Sequence, residues 1–269
     1  MSKIYLINGE NRVPIAGLIA GTVRDAVDSE NIISLTLYGS DARSVSETTI
    51  IECNGQYYDV VELELYRNGF APMADVYAEN VIYRLNSRTV RASTSGPTYG
   101  SVAQLMTRAL SNGAFIFIDP NPTDVSEFTF GTTDILTEVS FYASAAICSR
   151  REMINAIAKA AGGEIEVSGY TVNVRSHRGA VTAKELLGGY HVQSVRTKTD
   201  YRTGTTSYDI ELFKKSDLAA GDNVHIKFAP LGIDVTTRII AIEYNPYNPY
   251  EVSIDVGDYE PDIKDLLIK

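Results

Sequence analysis

The chain has 269 residues, of which 44% are hydrophobic and 22% charged, the composition of an ordinary globular protein with room for two or three hydrophobic cores. Its formal net charge of −10 argues against sequence-independent binding of nucleic acid, which relies on clustered Lys and Arg. No apolar run approaches the ~20 residues that a membrane-spanning helix needs, so no membrane span is expected.

Residues 1–93 are predicted to form a first β-barrel-like domain, because short runs of alternating apolar and polar residues recur in them. The short apolar run at the N-terminus, Lys3–Ile7, is predicted to be a strand rather than part of a signal peptide. Asn54-Gly55 is expected to close a hairpin, since both residues tolerate positive φ. After this turn, Val61, Leu63 and Leu65 are expected to face the interior. The candidate strands are Lys3–Ile7, Ile32–Tyr38, Ser46–Cys53, Tyr57–Tyr66 and Asp75–Leu85.

Residues 94–180 are predicted to form an α+β middle domain, because a connector of small residues precedes a change to helical spacing. Ser101 is the expected N-cap of a helix over Val102–Leu110. Ser149-Arg-Arg-Glu152 has the pattern of a capping box and predicts the start of a second helix. A hairpin with its turn at Ser168-Gly169 is expected to follow.

Residues 181–269 are predicted to form a second β-barrel-like domain with an acidic C-terminal tail. Its strands follow one another too closely for crossover helices, so they should form an antiparallel meander or a barrel corner. The candidate strands are Gly189–Thr199, Thr205–Lys214, Asp222–Phe228, Val235–Tyr244 and Glu251–Val256. The predicted fold class is therefore mainly β with an α+β middle domain, in which two small barrel-like domains flank the mixed one.

The last fifth of the chain resembles a known family of phage tail proteins. The signals are a strand opened by Gly221-Asp222, a Leu231-Gly232-Ile233 turn, a basic-led strand over Thr237–Ile242, a Tyr-Asn-Pro corner and a closing Gly257-Asp258. In this order they resemble the hub module of long-tailed phages, the structural region of tail-tip proteins labelled prophage tail endopeptidase or tail-associated lysin. The central hub of contractile-tail baseplates is similar in fold.

This resemblance implies a structural hub in the virion tail, made in the cytoplasm of a bacterial host. In the family, two β blocks of similar fold lie side by side, and a homotrimer presents six of them to six-fold tail rings. The implied partners are a distal-tail or tail-tube ring protein, the tape-measure protein and a central fibre or lysin, with DNA only as passing cargo. The excess of negative charge could line the channel and repel that DNA.

No catalytic, cofactor-binding or metal-binding residue is predicted, and no cofactor is expected. His177, His191 and His225 lack metal-ligand spacing and are expected to be structural. Cys53 and Cys148 are expected to be reduced core thiols. The role of Arg150-Arg151 is left open.

Two other functions stay open at this point. The first is a cell-wall-degrading tail enzyme, a peptidoglycan hydrolase that uses a carboxylate pair. The i, i+2 carboxylate pairs alternate with apolar residues, however, and are therefore expected to lie on solvent faces. These pairs are Glu62/Glu64, Glu164/Glu166 and Asp209/Glu211. The second is a receptor-binding or glycan-binding module, which should carry exposed aromatic residues clustered on one surface of loops.

Overall fold

A computed structural model describes residues 3–27, 30–91, 97–111, 127–141, 147–202 and 204–257. Its contacts divide the chain into two compact units. The first contains residues 1–80 and 179–260 and is called the β unit here. The second contains residues 81–178 and is called the mixed unit.

The β unit is built from strands, with one short α-helix and a single 3-10 turn among its described residues. The strands are β1 (Ile4–Asn8), β2 (Asn11–Pro14), β3 (Leu18–Ala26), β4 (Asn31–Tyr38), β5 (Ile50–Cys53), β6 (Gln56–Asn68), β7 (Ala71–Asn80), β15 (Lys184–Leu187), β16 (Val192–Asp200), β17 (Thr205–Leu212), β18 (Asn223–Phe228), β19 (Ile233–Tyr244) and β20 (Val252–Gly257). The helix is α1 (Ser40–Ser44), and the 3-10 turn is Ala229–Leu231.

These strands form one 13-stranded sheet in the order β16-β17-β20-β19-β3-β4-β7-β6-β5-β1-β2, with β18 paired to β19 and β15 paired to β18. Every neighbouring pair along the main path is antiparallel. Only the pair of β15 and β18 is parallel among the described strands of this sheet. The predicted antiparallel meander at the end of the chain is confirmed in β18, β19 and β20.

The first and last parts of the chain meet where β3 pairs with β19, and this pairing is called the joint here. Its register sets Arg24 opposite Glu243 and Val23 opposite Tyr244. A single cluster of buried side chains runs through both halves of the sheet, which shows that they share one core. The division into domains of residues 1–93, 94–180 and 181–269 remains a prediction, and its first boundary lies outside the described residues.

Several strand predictions in the first block need correction. The strands β2 and β3 were not predicted, and the strand predicted over Asp75–Leu85 ends at Asn80, where a 3-10 helix (Val81–Asn86) begins. The prediction that Val61 faces the interior is wrong, because it is 54% exposed and a bulge between Val60 and Glu62 displaces the alternation there. Leu65 lies opposite the buried Ala74 on the apolar side of the sheet, but it is 61% exposed, and β5 pairs with only the first four residues of β6.

The Asn54-Gly55 turn is confirmed: its residues have φ values of 53° and 78°, and Cys53 pairs with Gln56 across it. The predicted fold class, mainly β, is confirmed as well.

The mixed unit contains two longer α-helices and several short strands. The helices are α2 (Val102–Leu110) and α3 (Arg150–Ala160). The strands are β8 (Thr89–Arg91), β9 (Thr98–Ser101), β10 (Thr129–Thr133), β11 (Glu138–Phe141), β12 (Ile147–Ser149), β13 (Glu164–Ser168) and β14 (Thr171–Arg175). Both predicted helix starts are confirmed, since Ser101 and Ser149 each form a capping box with the residue three positions later.

Arg150 supplies a contact that the sequence did not reveal. Its guanidinium is buried and donates hydrogen bonds to the carbonyl oxygens of Ala109 at 2.6 Å and Ser111 at 3.1 Å. These carbonyls lie at the C-terminal end of α2, where a positive charge is favourable. Arg151 instead stacks over the ring of Tyr83, 3.8 Å from its centroid.

Candidate functional site: an acidic sheet face

The sheet of the β unit has one apolar and one polar face. In β4, Ile33, Leu35 and Leu37 are buried in the core, whereas Ser34 is exposed and Thr36 half-buried on the opposite side. The same alternation holds in the central strands of both halves, because successive side chains of a strand point to opposite sides of a sheet. The polar side therefore forms a continuous surface across the joint.

This polar surface is dominated by carboxylates and is called the acidic face here. Residues directly opposite each other on paired strands share a face, so the registers place these carboxylates on one side. Asp59 lies opposite Glu79, and Glu64 lies opposite Asp75. Across the joint, Asp209 lies opposite Asp255. The carboxylates of the face are Asp59, Glu62, Glu64, Asp75, Glu79, Asp209, Glu211, Glu243 and Asp255.

Two arginines lie among these carboxylates. Arg24 is at the joint, where its guanidinium nitrogens are 3.0 Å from a carboxylate oxygen of Asp255 and 3.5 Å from one of Glu243. Partial burial lowers the pKa of Arg24, but the bond to Asp255 and the surrounding carboxylates outweigh it and raise that pKa. Arg196 lies opposite Asp209 in the neighbouring strand. Arg24 and Arg196 both lie in the half of the face that β3 and the strands from β16 to β20 form.

Like charges placed opposite each other on paired strands destabilise a sheet. Glu64 lies opposite Asp75 in this way, and Asp59 lies opposite Glu79, so the repulsion within each pair opposes folding. A groove of about 560 Å³ crosses this part of the face between β3 and β6. In it the Thr36 hydroxyl donates a 2.7 Å hydrogen bond to Asp75. This arrangement can present a negative potential along the groove and over the face around it.

The carboxylate pairs singled out in the sequence separate into two groups. Glu62/Glu64 and Asp209/Glu211 lie exposed on the acidic face, as expected for a solvent face. Glu164/Glu166 belong to the mixed unit, where Glu164 accepts a 2.8 Å hydrogen bond from the Arg178 backbone N–H. Within the described ranges, no group of three or more His, Cys, Asp or Glu side chains has the geometry to hold a metal ion.

The structure places the histidines apart. The ring of His225 is 2.6 Å from a carboxylate oxygen of Asp234 on the neighbouring strand. His191 accepts a 3.2 Å hydrogen bond at Nδ1 from the backbone N–H of Leu187. His177 lies in the mixed unit, half-buried.

The cysteines are free and buried, as predicted. Burial raises the pKa of the Cys53 thiol to about 12 and that of the Cys148 thiol to about 11. Both thiols are therefore protonated at neutral pH.

Sequence reasoning missed the two charged residues that organise the β unit. One is Arg24 at the joint. The other is Asp222, buried to 3% exposure, which accepts hydrogen bonds from the backbone N–H groups of Ala180 and Ala219 and from the Lys184 ammonium group. In the sequence, Gly221-Asp222 indicates only a turn before a strand. No local pattern predicts that the Asp222 carboxylate accepts hydrogen bonds from Ala180 and Lys184, about 40 residues earlier in the chain.

Residues 188–267 match the sequence profile of a family described as Prophage endopeptidase tail. The structure is similar to that of prophage tail protein gp18 from Listeria monocytogenes EGD-e, with a TM-score of 0.70 and 13% identity over 98% of this chain and 97% of that one. The fold is that of phage tail proteins. The tail protein from Neisseria meningitidis MC58 is equally similar, with a TM-score of 0.70 and 8% identity over 96% of each chain.

A third similar structure is the E. coli c3393 protein, described as a component of the type VI secretion system with structural similarity to T4 bacteriophage tail proteins gp27 and gp5. Its TM-score is 0.58 at 9% identity, over 95% of this chain and 77% of that one. The resemblance to tail-hub proteins inferred from the sequence is thus confirmed, and at these identities it concerns the fold. No curated protein sequence matches the chain. None of the described helices is long and apolar enough to cross a membrane.

Proposed function

We propose that this chain is a structural hub of a phage or phage-like tail tip, located in the virion tail. Three copies form a ring at the distal end of the tail tube, adapt the tube to the tip and surround a channel. The proposal is supported by the tail-protein fold over nearly the whole chain and by the family match over residues 188–267. The observation that carries it is the acidic face, a carboxylate-rich surface that runs across the joint and suits the lining of a channel.

The acidic face would act by repulsion. DNA carries a dense array of phosphates, and a wall of the same sign prevents it from adhering within about 10 Å at 0.1 M salt. The repulsion between Glu64 and Asp75 opposes folding, but the same two carboxylates make the channel wall negative. This gives a functional reason for the pair, because a negative wall does not bind the phosphates of DNA. The partners in this role are a tail-tube or distal-tail ring protein, the tape-measure protein and a central fibre or lysin.

Size-exclusion chromatography with light scattering tests the ring. The expected mass is three times the 29.4 kDa of one chain. Antibody labelling of purified tails should place the chain at the distal tip. A chain that stays monomeric at all concentrations and labels no part of the tail would overturn the proposal.

Charge reversal tests the lining. In Glu79→Lys/Asp209→Lys, two carboxylates of the face become ammonium groups, and we expect the ring to retain duplex DNA at low salt. The control Glu10→Lys/Glu47→Lys makes the same change in net charge at exposed positions away from the face. If both double variants retain DNA equally, net charge alone explains the effect and the lining is refuted.

A receptor-binding or glycan-binding role has one observation in its favour. Tyr190, Phe213 and Tyr250 are 81%, 43% and 64% exposed on neighbouring loops. Backbone hydrogen bonds join these loops, from Phe213 N–H to the His191 carbonyl and from Lys215 N–H to the Pro249 carbonyl. Exposed aromatic rings of this kind suit stacking on sugars or on a protein partner.

Adsorption to bacterial cell walls tests this second role. Tyr190→Ala/Tyr250→Ala should abolish adsorption if the loops bind glycan. Tyr201→Ala is the control, because Tyr201 is 94% exposed at the β16–β17 turn rather than on these loops. Unchanged adsorption in the double variant, or none in the wild type, removes the role.

A further inference from the structure

The β unit contains an internal repeat that the sequence does not display. In the first half, the strands β3, β4, β7, β6 and β5 are neighbours in this order. In the second half, β16, β17, β20, β19 and β18 are neighbours in the same order. Numbered along the chain, each half therefore has the spatial order first, second, fifth, fourth, third.

Irregularities in the strand pairing fix the alignment of the two repeats. The first strand of each repeat has a register shift at its second residue, Ile19 in β3 and Gln193 in β16. The fourth strand has one at Val61 in β6 and at Ile240 in β19. Because bulges of the same kind occur at the same places, the residues of one repeat can be assigned to the other position by position. Arg24 then corresponds to Lys198, and Glu64 corresponds to Glu243.

The joint connects the two repeats asymmetrically. It pairs the first strand of the first repeat, β3, with the fourth strand of the second, β19. The reciprocal strands are β16, the first of the second repeat, and β6, the fourth of the first. Within the described residues, β16 from Ser194 onward pairs only with β17, and β6 beyond Asp59 pairs only with β7. Each repeat thus leaves open the edge that would complete a second joint.

The directions of these edges suit a ring. The path from β6 to β16 contains eight strands, β6-β7-β4-β3-β19-β20-β17-β16, and each neighbouring pair in it is antiparallel. An even number of alternating strands gives edge strands that run in opposite directions. When copies are related by rotation about an axis along the strands, β16 of one copy meets β6 of the next in antiparallel orientation.

We propose that β16 of one copy pairs with β6 of the next copy in the register of the joint, so that three copies close one continuous sheet. This inference rests on the proposed ring and names its subunit contact, called the seam here. The joint places Arg24 opposite Glu243 and Val23 opposite Tyr244. The seam accordingly places Lys198 opposite Glu64 of the next copy and Thr197 opposite its Leu65.

Charge complementarity supports this register. The joint holds an ion pair, with a nitrogen of Arg24 3.5 Å from a carboxylate oxygen of Glu243. The equivalent residues at the seam, Lys198 and Glu64, again have opposite charges. A register shifted by two residues would instead place Glu64 opposite Asp200, and the two carboxylates would repel each other.

Apolar burial supports the seam as well. Tyr244 is 9% exposed at the joint, and its counterpart Leu65 is 61% exposed at the edge of β6. The seam would cover Leu65 as the joint covers Tyr244, which gives a reason for the apolar residue at an exposed edge. The same register sets Glu62 against Asp200, a repulsive pair at one end of the seam.

Disulfide trapping tests the register. Directly opposite residues in an antiparallel pair have Cα atoms about 4.5–5.5 Å apart, within reach of a disulfide. Glu64→Cys/Lys198→Cys should give disulfide-linked dimers and trimers under mild oxidation. The control Glu64→Cys/Arg196→Cys moves one thiol two residues along β16 and should give none. The native cysteines are buried in both variants.

Charge reversal provides a second measurement on the same contact. Lys198→Glu should weaken trimer formation roughly tenfold or more, and Lys198→Glu/Glu64→Lys should restore it. Glu62→Gln should strengthen the trimer, because it removes the repulsion from Asp200.

The outcomes separate the seam from the ring. Trimers in solution together with cross-links in the matched pair alone support both. Trimers in which the matched pair does not cross-link, or in which the offset pair cross-links instead, overturn the seam and leave the ring standing. Monomers that never cross-link at millimolar concentration overturn both.

Discussion

Replacing Asp222 with alanine should destabilise the β unit more than any exposed charge substitution. Its carboxylate accepts hydrogen bonds from the Ala180 N–H at 2.6 Å, the Ala219 N–H at 3.0 Å and the Lys184 ammonium group at 2.8 Å. Through these bonds it fixes the segment that returns from the mixed unit to the turn before β18. These donors are part-buried, and each hydrogen bond to a charged group contributes about 1.5–3 kcal/mol, so Asp222→Ala should cost about 3–5 kcal/mol.

The matched control is Asp217→Ala. Asp217 also approaches the Lys184 ammonium group, at 3.5 Å, but its side chain is 83% exposed. An exposed ion pair contributes about 0–1 kcal/mol, so this variant should stay close to the wild type. The free energy of unfolding is measured in urea by far-ultraviolet circular dichroism, since the chain has no Trp. A loss below about 1 kcal/mol in Asp222→Ala would refute the reasoning.

The stabilisation from Asp222 should depend on pH in a defined direction. Burial raises the pKa of its carboxyl group, but the bonds from Lys184 and from the two backbone N–H groups outweigh burial and lower that pKa. A group with a lowered folded-state pKa stabilises the fold above its unfolded pKa of about 3.9. The difference between wild type and Asp222→Asn should therefore be constant at neutral pH and shrink as pH falls through the folded pKa. A difference that grows on acidification would contradict this sign.

Three further predictions concern other residues. Arg150→Ala should lower the free energy of unfolding by about 2–4 kcal/mol and raise hydrogen exchange in α2, because it removes the charge-assisted bonds at that helix end. The control Arg151→Ala should lower it by about 1 kcal/mol or less. Equal effects of the two variants would contradict the capping role of Arg150. At pH 8, Cys53 and Cys148 should react with a thiol reagent roughly a hundredfold more slowly in the native protein than in urea, because both thiols are buried and have raised pKa values. Fast labelling of the native protein would contradict this prediction. Gly55→Ala should lower the free energy of unfolding in urea by about 1–2 kcal/mol, because alanine is strained at the φ of 78° that Gly55 adopts. A Cβ at this position meets no atom within 4 Å, so a clash makes no contribution. An unchanged stability would contradict the prediction.

The features that the sequence predicted well are those that local chemistry decides. Ser101 and Ser149 form their capping boxes with residues three positions away, and Asn54-Gly55 needs only its own φ preferences. The strand β3 was not predicted because its apolar residues do not alternate regularly around the bulge at Ile19. Val61 was misassigned for the same reason, since a bulge breaks the period of two on which the inference rested.

The acidic face could be predicted only in part. The sequence showed that Glu62, Glu64 and Asp209 lie on solvent sides of strands, but not that these strands belong to one sheet. That fact depends on the joint, which pairs residues more than 200 positions apart. The internal repeat is invisible in the sequence because equivalent positions keep their chemical role rather than their identity. Arg24 corresponds to Lys198, for example.

A cryo-electron microscopy reconstruction of the purified particle tests the central claim most directly. It should show three copies around an opening, with the sheet continuous from β16 of one copy to β6 of the next. The carboxylates of Glu62, Asp75 and Asp209 should face that opening. An assembly in which the acidic face lies on the outer surface or is buried between subunits would contradict the account, as would particles that contain a single copy.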